Sequence, residues 1–123
     1  TDRLVPIHRT IHPIVIKLYD EATKLGSPYL INCTDGHGKR TSDLDFTYDK
    51  YKKRFDRIKY ELGLDHEHAP HDGRMTFIDM AKKSGVDEYA IKLIVGHKIE
   101  DLTESVYTER DIGWLHKEIA KIP

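Results

Sequence analysis

Glycines end several helical patterns in this chain, and they constrain its fold more than any other feature. Apolar residues recur at helical spacing before Gly26, Gly63, Gly85 and Gly96, and the repetition stops at each of these glycines. Glycine is common just past the last turn of a helix because it adopts the left-handed backbone conformation there at no steric cost. The sequence therefore predicts a mainly helical chain built from separate, short helices.

The first two predicted helices each have an apolar stripe. One opens at His12-Pro13, with proline in its first turn, and the other opens near Thr47, a favourable N-cap residue. Their stripes are Ile14, Leu18, Ala22 and Leu25 in the first helix, and Tyr48, Tyr51, Phe55, Ile58 and Leu62 in the second. We expect the aromatic residues of the second stripe to belong to the core and not to a surface that stacks on bases. Residues 32–43 between the two helices are predicted to form a loop.

The second half of the chain contains four further predicted helices. The third runs from about His71 to Ser84, and Asp87 caps the fourth. A short helix that carries Tyr107 begins at Asp101 or Thr103. The last helix has Ile112, Leu115, Ile119 and Ile122 on one face, with Trp114 beside them. This stripe is interpreted as packing within the chain, with docking on a neighbouring protomer as the alternative.

One strand is expected at the front of the chain. Residues 3–7 read Arg-Leu-Val-Pro-Ile, and Pro6 restricts such a strand to an edge or terminal position. The fold class predicted is therefore mainly α (α+β), with the remnant of a small antiparallel β-sheet at the N-terminus. The partners of this strand would precede Thr1.

Length and composition indicate one domain, or part of one, and exclude several classes of protein. The chain has 123 residues, of which 38% are hydrophobic and 33% charged. No apolar run approaches the roughly 20 residues that span a bilayer, and no signal peptide is apparent, so no membrane partner is expected. The single cysteine, Cys33, rules out an internal disulfide and fits a reducing compartment. We expect a cytoplasmic protein.

Positive charge is concentrated in one stretch, although the formal net charge of the chain is −1. Residues 39–59 contain eight Lys or Arg against four Asp, a local net charge of +4. A local basic patch can bind phosphate groups even when the whole protein is nearly neutral. The alternative is an ordinary solvated helix face.

Four residues between 70 and 107 have side chains suited to phosphate chemistry. His71 and Arg74 are three positions apart and share a helix face, His97 follows Gly96, and Tyr107 lies ten residues further on. Arginine binds phosphate through two hydrogen bonds, histidine donates hydrogen bonds or transfers protons near neutral pH, and tyrosine can act as a nucleophile. Together these side chains could form a phosphate site that needs no metal.

This ordered set resembles the C-terminal part of a tyrosine recombinase catalytic domain, of the phage integrase family. The family has a His-x-x-Arg motif at the start of a helix, matched here by His71-Asp72-Gly73-Arg74, and Thr76-Phe77 continues the match. A Gly-His pair follows some twenty residues later, matched by Gly96-His97, and the nucleophilic tyrosine comes nine or ten residues beyond, matched by Tyr107. Residues 3–8 are similar to the last strand of the small sheet of the family. The resemblance covers essentially the whole chain.

The resemblance implies site-specific DNA recombination through a 3′-phosphotyrosine intermediate. Tyr107 would be the nucleophile, Arg74 and His97 would hold the phosphate, and His71 would accept the tyrosine proton or hold the phosphate. No metal or other cofactor is implied. The partners would be double-stranded DNA and further copies of the chain, assembled as a tetramer on the DNA.

Two departures from the family pattern affect these expectations. Met75 stands where many members have a second histidine. The family also uses an arginine in an upstream helix and a lysine in a β-hairpin, and both would lie before Thr1; Arg3 falls in the returning strand and does not match the lysine. We therefore expect residues 1–123 to be a single partial catalytic domain that is inactive alone.

Other interpretations of the same residues are open. His66, His68 and His71, with Asp72 adjacent, superficially resemble the ligand spacing of a metal-dependent hydrolase, although Pro70 stands where that pattern has an aspartate. A DNA-binding module without chemistry is a further alternative. Individually, Arg74 could pair with a carboxylate, and His97 could interact with a helix dipole. His71 could be a solvated loop residue, and Tyr107 could be half-buried packing.

Overall fold

The fold is mainly helical, as predicted. A computed structural model describes residues 3–32, 47–64, 67–98 and 111–123. Within these ranges there are five helices and no strand; the helices are α1 (His12–Leu25), α2 (Tyr48–Glu61), α3 (Asp72–Lys83), α4 (Glu88–Val95) and α5 (Ile112–Ile119). None of the helices in these ranges is long and apolar enough to cross a membrane. The predicted short helix around Tyr107 and most of the predicted loop 32–43 lie outside the described residues.

The side-chain caps that the sequence predicts form at the starts of α2 and α4. Thr47 Oγ1 accepts a hydrogen bond from the Lys50 amide at 3.4 Å at the start of α2. At the start of α4, Asp87 Oδ1 accepts from the amides of Tyr89 and Ala90, at 2.9 and 3.3 Å. Each cap satisfies amide groups that have no partner inside the first turn of the helix.

The chain forms two compact units, one of Thr1–Thr10 with His71–Pro123 and the other of Ile11–Pro70. The first unit contains α3, α4 and α5. Its buried cluster consists of Ala81, Val86, Ala90, Ile91, Ile94, Val95, Leu115, Ile119 and Ile122. Phe77, Ile78, Leu93 and Trp114 are partly buried against this cluster. The stripe predicted for the last helix thus packs within its own chain through Leu115, Ile119 and Ile122, whereas Ile112 remains partly exposed.

A buried carboxylate ties α5 to the turn between α3 and α4. The Glu118 residue is only 8% exposed, and its Oε2 accepts a hydrogen bond from the Asp87 amide at 2.8 Å. Lys121 Nζ lies 2.9 Å from both carboxylate oxygens and also donates to the Gly85 carbonyl at 3.4 Å. Because the buried charge has both a cation and an amide as partners, its desolvation is compensated.

Side chains, not strand pairing, hold the N-terminal segment in the first unit. Residues 3–8 have no regular secondary structure, so the predicted strand does not form among the described residues, and the sheet stays a prediction. A strand needs a neighbour for its backbone hydrogen bonds, and no described segment pairs with it. Instead, Arg3 Nε donates to the Ile94 carbonyl at 3.1 Å, and Arg9 Nη1 donates to the Ala120 carbonyl at 3.3 Å.

His8 adds a third such contact. The Thr10 amide donates to its Nδ1 at 3.2 Å, so Nε2 carries the ring hydrogen and donates to the Ile122 carbonyl at 2.9 Å. The N-terminal segment is therefore anchored to both α4 and the residues after α5.

The prediction that the aromatic stripe of α2, in the second unit, belongs to the core is wrong. No residue of α2 is buried; Tyr48 is 65% exposed, Ile58 52% and Leu62 67%. In α1, Ile14 is also exposed and only Ala22 is buried. Helical periodicity identifies which residues share a face, but it carries no information on whether another element covers that face. Within α2 itself, the rings of Tyr51 and Phe55 stack at a centroid distance of 6.3 Å.

The core of the first unit gives a direct stability prediction. Ile91→Ala is expected to lower the free energy of unfolding by about 2–5 kcal/mol, because the residue is 4% exposed within the cluster and its loss leaves a cavity. Trp114, the single tryptophan and a neighbour of that cluster, reports the transition by its fluorescence in urea. Met80→Ala on α3, where the residue is 43% exposed, should change the free energy of unfolding by less than about 1 kcal/mol. Equal losses for the two variants would contradict the assigned core.

Candidate phosphate-binding site

Arg74 lies in the first turn of α3 and is partly buried. Its amide donates to the His71 carbonyl at 3.0 Å, which begins the helix. Phe77, one turn further on, packs against the hydrophobic cluster of the first unit. The guanidinium makes no hydrogen bond or ion pair with any residue that the structure describes. Arginine binds anions through charge-assisted hydrogen bonds, and this guanidinium has no carboxylate on it within the described residues, so it is available for an anion.

His71 is the N-cap residue of α3, and its side chain is exposed. It caps the helix through its backbone, since its carbonyl accepts from the amides of Arg74 and Met75, and no side-chain cap bond forms. The imidazole has no hydrogen-bond partner among the described residues. It is therefore accessible to a ligand that approaches the start of α3.

His97 follows the last turn of α4. Gly96 has a φ of 74° and ends the helix, and the His97 amide donates to the Lys92 carbonyl at 3.0 Å. This backbone arrangement is the expected glycine C-cap. The His97 side chain is exposed and makes no hydrogen bond with another described residue.

A shared core connects the elements that carry these residues. Phe77 of α3 and Ile94 of α4 both belong to the hydrophobic cluster, and the two helices pack against each other. Arg74 is three residues before Phe77, and His97 is three residues after Ile94. The structure thus puts His71 and Arg74 at the start of α3 and His97 just past the end of α4, and these two helices of one unit pack against each other. Tyr107 lies outside the described residues.

Sequence reasoning missed Arg3 as a neighbour of this region. Its Nε bonds the Ile94 carbonyl in the last turn of α4, and its Nη1 lies 2.6 Å from the position that a Cβ on Gly96 would occupy. The guanidinium therefore rests against the residue directly before His97. A side chain at position 96 would displace this guanidinium, and the positive φ of 74° itself favours glycine there.

The metal-site alternative has no support among the described residues. No group of three or more His, Cys, Asp or Glu that could hold a metal ion occurs in the described part of the chain. His68 is exposed, and His66 lies outside the described residues.

The structure describes the basic stretch 39–59 only from residue 47 onward. Several basic side chains in this part form ion pairs with neighbouring carboxylates. Lys52 Nζ and Lys59 Nζ lie 2.8 and 3.4 Å from the two carboxylate oxygens of Asp56, and Arg57 pairs with Glu61 at 2.9 Å. The hydrogen bond from Lys52 lowers the pKa of Asp56, and the same bond raises the pKa of Lys52. These exposed pairs fit the solvated-face interpretation of α2.

Comparison with models of protein families, with curated proteins and with solved structures gives no match to this chain.

Proposed function

We propose that this chain is part of the catalytic domain of a site-specific DNA recombinase of the tyrosine type. The observation that carries the proposal is Arg74, a partly buried residue whose guanidinium has no carboxylate partner among the described residues. Removing a cation from water without a counter-ion costs free energy, and a ligand phosphate would compensate that cost. Exposed imidazoles at His71 and His97, on the packed helices α3 and α4, supply further donors for the same anion.

The proposed reaction exchanges one phosphate ester for another. The phenol oxygen of Tyr107 attacks the scissile phosphorus, a bond from that oxygen to phosphorus forms, and the bond to the 5′ oxygen of the next nucleotide breaks. His71 accepts the phenol proton, and the 5′ oxygen takes a proton from water and leaves as a hydroxyl. The DNA strand is then held by a 3′-phosphotyrosyl bond, and attack by a new 5′-hydroxyl reverses the step without ATP.

Arg74 and His97 act on the charge that develops during this exchange. Donors aimed at the non-bridging oxygens stabilise the transition state more than the ground state, where the charge on these oxygens is smaller. The guanidinium can bind two of these oxygens at once, and the imidazole of His97 donates to one. The proposed partners are duplex DNA and further copies of the chain on that DNA.

The covalent intermediate tests the proposal without knowledge of the recombination site. The full-length protein is incubated with sheared genomic DNA of its source organism, denatured in detergent, and the protein-linked DNA is recovered. After digestion with nuclease and protease, mass spectrometry is expected to find a nucleotide linked through phosphate to the peptide that contains Tyr107. A linkage at another residue, or none, would contradict the proposal.

A further inference from the structure

The last turn of α4 presents an electrostatic problem for the proposed site. Carbonyl groups without helical partners give the C-terminal end of a helix a partial negative charge, which repels an anion. His97 is only two residues beyond Val95, the last residue of α4. A phosphate held by His97 would therefore need a compensating cation at this helix end.

Arg3 supplies a cation at this place. Its Nε donates to the Ile94 carbonyl at 3.1 Å, and its Nη1 lies against Gly96, 2.6 Å from where a Cβ would be. The other cationic side chain of the same segment, Arg9, lies elsewhere, on the Ala120 carbonyl after α5. Of the two arginines in the N-terminal segment, Arg3 is therefore the one that lies beside Gly96.

The terminal nitrogens of Arg3 are available to a ligand. Only Nε is engaged, and neither Nη1 nor Nη2 has an acceptor in the ranges that the structure describes. The residue is exposed to solvent. A guanidinium that is anchored through Nε and has no acceptor on either Nη atom can donate both of these nitrogens to two oxygens of one phosphate.

We propose that Arg3 binds the same phosphate group as His97. This inference rests on the proposed function and adds to it a ligand residue that lies 94 positions before His97 in the chain. Arg3 neutralises the negative end of α4 with its bonded nitrogen and offers its two free nitrogens to the anion.

Titration of the chain with inorganic phosphate, followed by nuclear magnetic resonance, tests this inference. Sodium chloride at equal ionic strength corrects for screening. The side-chain N–H signals of Arg3 and the imidazole signals of His97 are expected to shift together, with one dissociation constant.

Arg3→Ala should weaken the phosphate response of His97 about tenfold or more, because a charge-assisted bidentate contact is lost. Arg3→Lys should recover only part of the affinity, since lysine lacks the planar fork.

Arg9→Ala is the matched control, because it removes the same charge from the same segment. It should leave the phosphate response of His97 unchanged; an equal loss in both variants would mean that general charge, and not Arg3, is responsible. Hydrogen exchange of the His97 amide, which is bonded to the Lys92 carbonyl, reports on the turn itself. If Arg3→Ala weakens phosphate binding only together with faster exchange of that amide, Arg3 merely holds the turn and the inference is overturned.

The outcome is separable from that of the proposed function. A phosphate response at His97 that persists in Arg3→Ala overturns the role of Arg3 alone, and so does the absence of any phosphate response. The phosphotyrosyl bond at Tyr107 decides the proposed function independently.

Discussion

Tyr107→Phe is expected to abolish the covalent DNA adduct of the full-length protein. Phenylalanine has the same ring but lacks the oxygen that bonds to phosphorus, so no phosphotyrosyl link can form. DNA binding, measured by gel shift at low and high salt, should persist because the phosphate contacts proposed for Arg74 and His97 do not use the phenol oxygen. Labelled DNA that stays with the protein on a denaturing gel provides the measurement.

Tyr60→Phe is the matched control for this substitution. Tyr60 is 88% exposed at the end of α2, so the loss of its hydroxyl should affect neither folding nor the adduct. Survival of the adduct in Tyr107→Phe would refute the nucleophile assignment. Loss of DNA binding in the same variant, with the adduct, would instead favour a tyrosine that packs within the domain.

Local sequence signals were sufficient to predict the helix ends. Thr47 and Asp87 cap α2 and α4 through hydrogen bonds to amides two or three residues away, and Gly96 ends α4 within its own turn. Each of these interactions spans only a few residues, so the residue types reveal it. For the same reason, the placement of Arg74 in a first turn and of His97 just past a last turn could be predicted.

Contacts between residues that are far apart in the sequence could not be predicted from local signals. Arg3 bonds a carbonyl 91 residues away, and His8 bonds one 114 residues away, and no pattern near either residue indicates its partner. The prediction that the aromatic stripe of α2 is buried was wrong for a related reason. Burial requires another element that covers the stripe, and the sequence of the helix does not specify one. Local patterns therefore predict where Arg74 and His97 lie on α3 and after α4, but not that Arg3 lies beside Gly96.

Arg74→Ala is expected to slow adduct formation by roughly 10²–10³-fold at saturating DNA, the usual cost of removing a donor to an oxyanion. Arg74→Lys should restore part of the rate, because the charge returns without the bidentate geometry. Arg57→Ala on α2 is the control arginine; its side chain is 81% exposed and paired with Glu61, so at saturating DNA the rate should not change. Equal rates for wild type and Arg74→Ala would exclude the proposed role.

The stability of the Arg74 variants separates a phosphate ligand from a structural arginine. Breaking a structural ion pair leaves a buried carboxylate unpaired and destabilises the fold by about 3–5 kcal/mol. Arg74 has no such partner among the described residues, so Arg74→Met should leave the urea midpoint of Trp114 fluorescence unchanged or raise it. An arginine that is kept for ligand binding can lower the stability of the fold. Its replacement is then expected to give a variant that is inactive but at least as stable as the wild type. A large fall in that midpoint would assign Arg74 to the fold and remove the main support for the phosphate site.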